Sequence, residues 1–553
     1  MDTDGEQKSV PLPVPDGADP IVGSFGMSQT WWRRLIGAAA PTHPAARLGR
    51  RGALALAGGG LAAPLAAPFV GSAAHAQSGD PSSDMPPQQP SSQPSRRWPA
   101  YFGRKSVWGY VNRHSVLQGD GFDLMLSVGS GQPAVRGRLE FFRFTHEQPA
   151  GTRLVWTSQP VVVGYNRVNA AAATLGPNWP AAIAAIDTTD WPPGCYTADF
   201  VSDVYGQRDP HVAQIIIRPA RPRGQILVKL GTSTYQAYND WGGFSFYTGG
   251  KDETSRGAML SFDRPSPPGI LEYEIFLVRW LEELAARTGI KVDYCSNFDI
   301  HNEPALMPAY KLVICGSHDE YWSKEEFDAF EARIFRHGSN TMFLGGNTAY
   351  WQVRYTDINR PPGGPDHGRQ MVCYKSNTDP IARRVGSVDP TLLVTAMFRD
   401  SARRPENMLM GVAYQNWFTP TGNPLTRVPY IVNSTDFPFF ADTGLKEGDP
   451  VGDVVGYEWD NRDPYNNGAR LWDANRSRIG LLPMDSIRVV LRGSPVDTNG
   501  RRGRAEAVYF ETRAGAKVFN AGSIRWAWGL GKSGFTHPGF QKLNENLIQQ
   551  FLT

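Results

Sequence analysis

A chain of 553 residues with 41% hydrophobic, 20% charged and 11% aromatic residues has room for roughly two to four packed domains, and this composition excludes a fibre, a small disulfide scaffold and wholesale disorder. Basic and acidic residues number 56 and 53. That balance leaves no electrostatic footprint for nucleic acid or an anionic membrane surface, and neither is expected as a partner.

At the N-terminus, Arg50 and Arg51 precede an apolar run from Ala53 to Val70, and Ala74-His75-Ala76 supplies the small residues of a cleavage point. Residues 1–76 therefore resemble a twin-arginine export signal, which predicts a periplasmic or secreted protein. Gly58-Gly59-Gly60, Pro64 and Pro68 make the run a poor membrane helix, so no stable anchor is expected. Met27, followed by Arg33-Arg34, is an alternative start. Residues 77–97 contain 15 Pro, Ser or Gln among 21 positions, too little apolar surface to offset the entropy of ordering, and read as a disordered linker.

From residue 98 to 222, short alternating runs separated by turn residues (FDLMLSV, GRLEFFRF, LVWTSQPVVVGY, CYTADFVSDV, AQIIIRP) predict an antiparallel β-sandwich of roughly seven strands. At Gly224 the pattern changes. QILVKL is a continuous apolar run suited to a strand covered on both faces, and helical patterns begin to alternate with strands, predicting an α/β domain over 223–553 with parallel strands. A helix from Leu271 to Thr288 stops at Gly289 before GIKVDYC. KLVIC follows, then Ser323 and Glu326 form a capping-box pattern opening a helix from Lys324 to His337, closed by Gly338 before NTMFLGG.

Open α/β sheets bind ligands beyond the carboxyl ends of their strands. The segments there are GTSTYQAYNDWGG, SNFDIHNE, GSHDEYW and NTAYW. Each brings polar or aromatic groups to a common edge, and HDEYW is the densest run of ligand-type side chains in the chain. Cys195, Cys295, Cys315 and Cys373 are spaced too widely for a zinc ribbon and read as isolated core thiols. Cys315 lacks the strand-turn-helix elbow of a nucleophile. DNRDPYNNG, from Asp460 to Gly468, lacks calcium-loop spacing and reads as a turn.

TYQAYNDWGG, GSHDEYWS, GGNTAYWQVR, MVCYKS and RPENMLMGV together resemble the large (β) subunit of bacterial N,N-dimethylformamidase, from about Gly224 to the C-terminus. The resemblance implies a glutamine-amidotransferase-like catalytic domain preceded by an immunoglobulin-like sandwich. It also implies a mononuclear Fe(III) held by two tyrosines and one glutamate. Placed on this chain, the metal ligands are Glu320, Tyr238 (with Tyr235 as the alternative) and Tyr196 of PPGCYTADF, which would make the sandwich a ligand donor. Glu458 matches a second glutamate and is the candidate general base. His318 would orient water, protonate the amine or hold Glu320, and Asn347 would donate to an oxyanion or cap a turn. Lys375 matches a family lysine, although a surface salt bridge explains it more simply.

The chemistry of that set is coherent. Phenolate and carboxylate are hard oxygen donors suited to a ferric ion, and a strong Lewis acid is needed to ionise phenols whose free pKa is near 10. Three protein ligands leave positions for water and a carbonyl oxygen. The implied activity is hydrolysis of a small N-substituted amide such as a formamide. The family's extra N-terminal domain is replaced here by a linker and export segment, so dimethylformamide itself, a separate small subunit and homo-oligomerisation stay open. The rival reading is a secreted, non-catalytic binding protein that grips a carbohydrate or other ligand through exposed Trp241, Trp322 and Trp351.

Overall fold

The computed structural model describes residues 106–147, 151–204, 206–247, 256–266, 269–357, 367–376, 378–383, 393–399, 404–418, 427–462 and 486–553. The expected export segment, the linker and most of the Asp460–Gly468 turn lie outside them.

The alternating runs fold into two facing sheets. Val107–Val111, Gly121–Val128 and Ala181–Asp187 form the smaller; the larger is ordered Val116–Leu117, Arg208–Arg218, Gly194–Ser202, Val135–Phe144 and Thr152–Thr157, with Val161–Val163 also on Val135–Phe144. Pairing is antiparallel except between Val116–Leu117 and Arg208–Arg218. Inward positions at period two, among them Phe122, Leu124, Leu139, Phe141, Ala198 and Phe200, close a common core.

The second unit is mixed α/β, built on an eight-stranded sheet. Its order is Val292–Cys295, Ile226–Lys229, Leu312–Cys315, Asn340–Phe343, Lys517–Asn520, Ala505–Glu511, Arg488–Gly493 and Ile431–Val432. The first five strands are parallel. The last three run antiparallel, a departure from the expected parallel sheet. The link from Glu511 to Lys517 is too short for a crossover helix, so it can only join antiparallel neighbours.

Side chains alternate through the sheet. Ile226 and Val228 face a layer containing the Glu274–Thr288 and Pro538–Leu552 helices, while Leu227 and Cys315 face one that includes Phe327 of the Lys324–Glu331 helix. Gly289 ends its helix in the left-handed region at φ 75°. The capping box forms at Ser323 and Glu326, but α-helical bonding ends at Glu331 and a π-helical turn, Ala332–Arg336, completes the segment.

Two small sheets crown the carboxyl edge. One carries Met259–Ser261, Gln370–Val372, Trp351–Thr356 and Tyr321–Ser323; the other pairs Ala413–Trp417 with Glu458–Asn461. The two-sheet unit is joined to the α/β unit by Arg143–Glu282 (2.8 Å) and by Ser115 Oγ donating to Asp299 (2.6 Å). All four cysteines are buried free thiols. Among the described residues no helix is long and apolar enough to cross a membrane.

Candidate active site

The chain enters the large sheet at Ile226–Lys229, moves to one side for Val292–Cys295, and returns to the other for Leu312–Cys315. That reversal of strand order opens a crevice at the carboxyl ends, where such sheets bind ligands. From the first of these strands, Gly231 approaches the carbonyl of His318 so closely that a Cβ would sit 2.3 Å from its oxygen. The helix Thr232–Tyr238 follows and delivers Tyr238 at its end.

Gly242 and Gly243, at φ 86° and 109°, then reverse the chain. The Phe246 amide donates back to the Ala237 carbonyl at 2.9 Å, and Tyr247 lands on Tyr238 with ring centroids 4.4 Å apart and planes 21° apart. Both phenols point at one carboxylate. Tyr238 donates to Glu320 Oε2 and Tyr247 to Glu320 Oε1, each at 2.8 Å, and the two hydroxyls lie 3.0 Å from each other. The Tyr321 hydroxyl donates to that of Tyr247 at 2.7 Å.

Glu320 is fixed along its backbone. Its amide donates to Thr234 Oγ1 at 2.9 Å, and its carbonyl accepts from Tyr350 and Trp351 at 2.9 and 3.0 Å. Asn347 follows Asn340–Phe343 in the left-handed region at φ 54°, a conformation Asn tolerates better than most residues. Two groups of the Glu458–Asn461 strand hold it there: its amide donates to Asp460 Oδ1 at 2.9 Å and its Nδ2 to Glu458 Oε2 at 3.1 Å. His318 Nε2 stands between the two carboxylates, 3.7 Å from Glu320 Oε2 and 3.8 Å from Glu458 Oε2. That nitrogen is buried and, among the described residues, has no hydrogen-bond partner. Lys375, also left-handed at φ 55°, sets Nζ 3.3 Å from the centroid of the Tyr247 ring.

Burial drives the site toward uncharged forms. It raises the Glu320 carboxyl, against the pull of Lys375, and lifts Glu458 well above the carboxylate range with help from Glu320. It also raises both phenols, lowers His318 to about 3 and lowers Lys375 to about 7. Three acidic oxygen donors thus converge with little compensating positive charge. Among the described residues no group of three or more His, Cys, Asp or Glu is arranged to hold a metal ion by itself; the oxygen set rests on tyrosines. Two phenols on the two oxygens of one carboxylate, beside an unpartnered imidazole nitrogen, fit a hard trivalent cation.

The profile of the family described as N,N-dimethylformamidase beta subunit-like, C-terminal, matches residues 138–541. The chain belongs to this family. Two N,N-dimethylformamidase beta subunits are similar to it: that of Alcaligenes sp. is 24% identical over 306 residues and that of Paracoccus aminophilus 23% over 315, each match covering 51% of this chain and 37% of the relative. The chain thus matches well under half the length of these dimethylformamidase subunits.

Within this dimethylformamidase-like chain, the structure brings together Tyr238, Glu320, His318, Asn347, Glu458 and Lys375 of the residues expected from sequence. Tyr196 is a correction. It lies in the core of the two-sheet unit against Trp191, its hydroxyl donating to the Pro192 carbonyl. The strand Gly194–Ser202 is buried on both faces, so Cys195 turns to the α/β core and Tyr196 away from it. Tyr247 holds the place expected for Tyr196. Tyr235 is not the alternative either: it packs on Gly269 and faces Glu274.

Glu458 is buried, and Lys375 lies on an aromatic ring rather than in a surface salt bridge. Trp241 and Trp322 are 0% exposed and Trp351 is half-buried, so two of the three rings expected to be exposed in the carbohydrate-binding alternative are not. Tyr247 was the residue that pattern reading missed. Its signal is the Gly242-Gly243 pair, which marks a reversal returning the chain toward Tyr238.

Proposed function

We propose that this chain hydrolyses the carbon–nitrogen bond of a small N-substituted amide such as a formamide, with Tyr238, Tyr247 and Glu320 holding one ferric ion. The observation that carries this reading is the convergence of two phenol hydroxyls on both oxygens of buried Glu320, beside His318 and Glu458. When bound, such an ion supplies Lewis acidity toward the amide carbonyl.

The remaining chemistry falls to the protein. Glu458, whose carboxyl is raised well above the carboxylate range by burial and by Glu320 and is so a stronger base, takes a proton from the attacking water and returns it to the amide nitrogen. The carbon–nitrogen bond then breaks to release a neutral amine rather than an amide anion. Asn347 aims Glu458 Oε2 through its 3.1 Å hydrogen bond. His318, uncharged at neutral pH, accepts a hydrogen bond at Nε2 and so orients the water. Lys375, resting on the Tyr247 ring and lowered by burial to about 7, places an amine that gains and loses its proton near neutrality beside Glu320.

The same reading treats the two-sheet unit as immunoglobulin-like and the α/β unit as glutamine-amidotransferase-like, supported by sheet pairing and strand order. It places the protein outside the cytoplasm, supported by Arg50-Arg51 and the apolar run after them. The beta-subunit names of the relatives support an additional subunit in the working assembly. The test is metal analysis and visible absorption of the purified full chain, followed by a panel of formamides and acetamides. About one iron per chain, with a phenolate-to-iron band and amide turnover, is the expected outcome. A colourless, metal-free protein, whether active or inert, refutes the reading.

A further inference from the structure

Arg264 is 0% exposed, yet among the described residues its hydrogen bonds go to main-chain carbonyls. Nε donates to Ser261 at 2.8 Å, Nη1 to Trp241 at 2.8 Å and to Phe244 at 3.0 Å, and Nη2 to Gln236 at 3.1 Å. Gln236 lies two residues before Tyr238, Trp241 and Phe244 lie within the reversal, and Tyr247 follows. The guanidinium therefore joins the end of the Thr232–Tyr238 helix, the reversing loop and the Met259–Ser261 strand at a single point. Its planar fork of five donors is the side-chain geometry able to serve several carbonyls at once. Burying an arginine is costly, and burial lowers it to about 9 against the opposing charge of Asp240, which still leaves a cation at neutral pH. The loop it ties contains Gly242 and Gly243 at positive φ, a segment that would otherwise populate many conformations.

We propose that Arg264 is a positioning residue that sets the distance and stacking of Tyr238 and Tyr247, and so preorganises the pair of phenols for the metal. The metal part rests on the function proposed above; the loop-ordering part does not. Lysine at this position retains the charge but presents donors from one atom and cannot reach all four carbonyls together.

The experiment compares full-length wild type with Arg264→Lys, Arg264→Met and Tyr238→Phe in two measurements. The first is hydrogen exchange of the peptide spanning residues 239–247, whose amides include Phe246 bonded to Ala237. The second is iron affinity together with the phenolate-to-iron absorption band. Both Arg264 variants are expected to exchange this peptide at least about tenfold faster, and to bind iron at least about tenfold more weakly with a shifted band, as follows from losing charge-assisted hydrogen bonds. Exchange of the Ile226–Lys229 and Leu312–Cys315 strands stays at the wild-type rate. Tyr238→Phe loses the band with the loop still protected. Should Arg264→Met fail to fold, Arg264→Lys carries the test. Wild-type exchange at 239–247, or wild-type iron affinity with an unshifted band, in a folded variant overturns the proposal. A wild type that takes up no iron defeats the functional reading, and exchange alone then decides the role of Arg264.

Discussion

Replacing Lys229 by Met tests whether charge holds the floor of the site. Lys229 is completely buried at the carboxyl end of its strand, with Nζ 2.7 Å from Asp319 Oδ2, 3.1 Å from Glu326 Oε1 and 3.7 Å from the Trp322 ring centroid. Asn297 Nδ2 donates to the same two carboxylates at 2.9 Å each. Methionine keeps the length and most of the volume of the lysine stem, so the substitution removes charge while opening little cavity. Two buried carboxylates then lose their cation, at a cost of about 3–5 kcal/mol.

The loss depends on pH. Burial already raises the Glu326 carboxyl, and the Lys229 charge is the largest influence opposing that rise. Without Lys229 it rises further, so the folded state holds this proton more tightly than the unfolded chain does. Stability then falls as pH rises from the ordinary carboxylate range through the raised value. Urea unfolding followed by tryptophan fluorescence at pH 5 and pH 8 measures both effects: a larger deficit at pH 8 is expected, partly recovered by adding Glu326→Gln. A loss under about 1 kcal/mol at both pH values would refute the assignment of a charge-held floor.

Tyr238→Phe, Tyr247→Phe and Glu320→Gln are each expected to lose iron and its visible band, whereas Tyr196→Phe keeps both and loses only about 1 kcal/mol of stability with its hydrogen bond to Pro192; metal analysis and denaturation separate the two classes. Glu458→Gln retains iron and loses about 10²–10⁴-fold in amide turnover, read as kcat. In the wild type, kcat/KM is expected to rise with pH through the elevated ionisation of Glu458, because the base must be deprotonated to accept the water proton; a flat profile from pH 5 to 8 contradicts that role. Cys315→Ala, a buried free thiol away from the cluster, leaves turnover within about twofold of wild type, measured under saturating amide.

The parts of the site visible in sequence are those that local chain direction dictates. Glu320, His318 and Asn347 sit directly after apolar strands, and strand ends in an α/β sheet point to one edge whatever the rest of the chain does. Tyr247 was hidden because its position depends on a reversal at two glycines and on four carbonyl bonds to Arg264, which is 17 residues further along. Tyr196 misled for the opposite reason. Its strand is apolar on both faces, so alternation did not reveal which core it enters. The mixed large sheet was concealed because apolar periodicity does not mark strand direction, and the antiparallel pairing of Arg488–Gly493, Ala505–Glu511 and Lys517–Asn520 is set by links that carry no crossover helix.

The tyrosine-bearing reversal also leans on the two-sheet unit. A Cβ on Gly242 would lie 2.7 Å from the Ala173 amide nitrogen, and Trp179 meets Trp241 edge-on with centroids 5.6 Å apart. Residues 172–179 and 236–247 therefore interlock across the two units. A chimera that takes its N-terminal half from one relative and its C-terminal half from another would inherit mismatched halves of that contact, and recombination at the obvious boundary near Gly224 would disturb the Tyr238–Tyr247 pair before it cost folding.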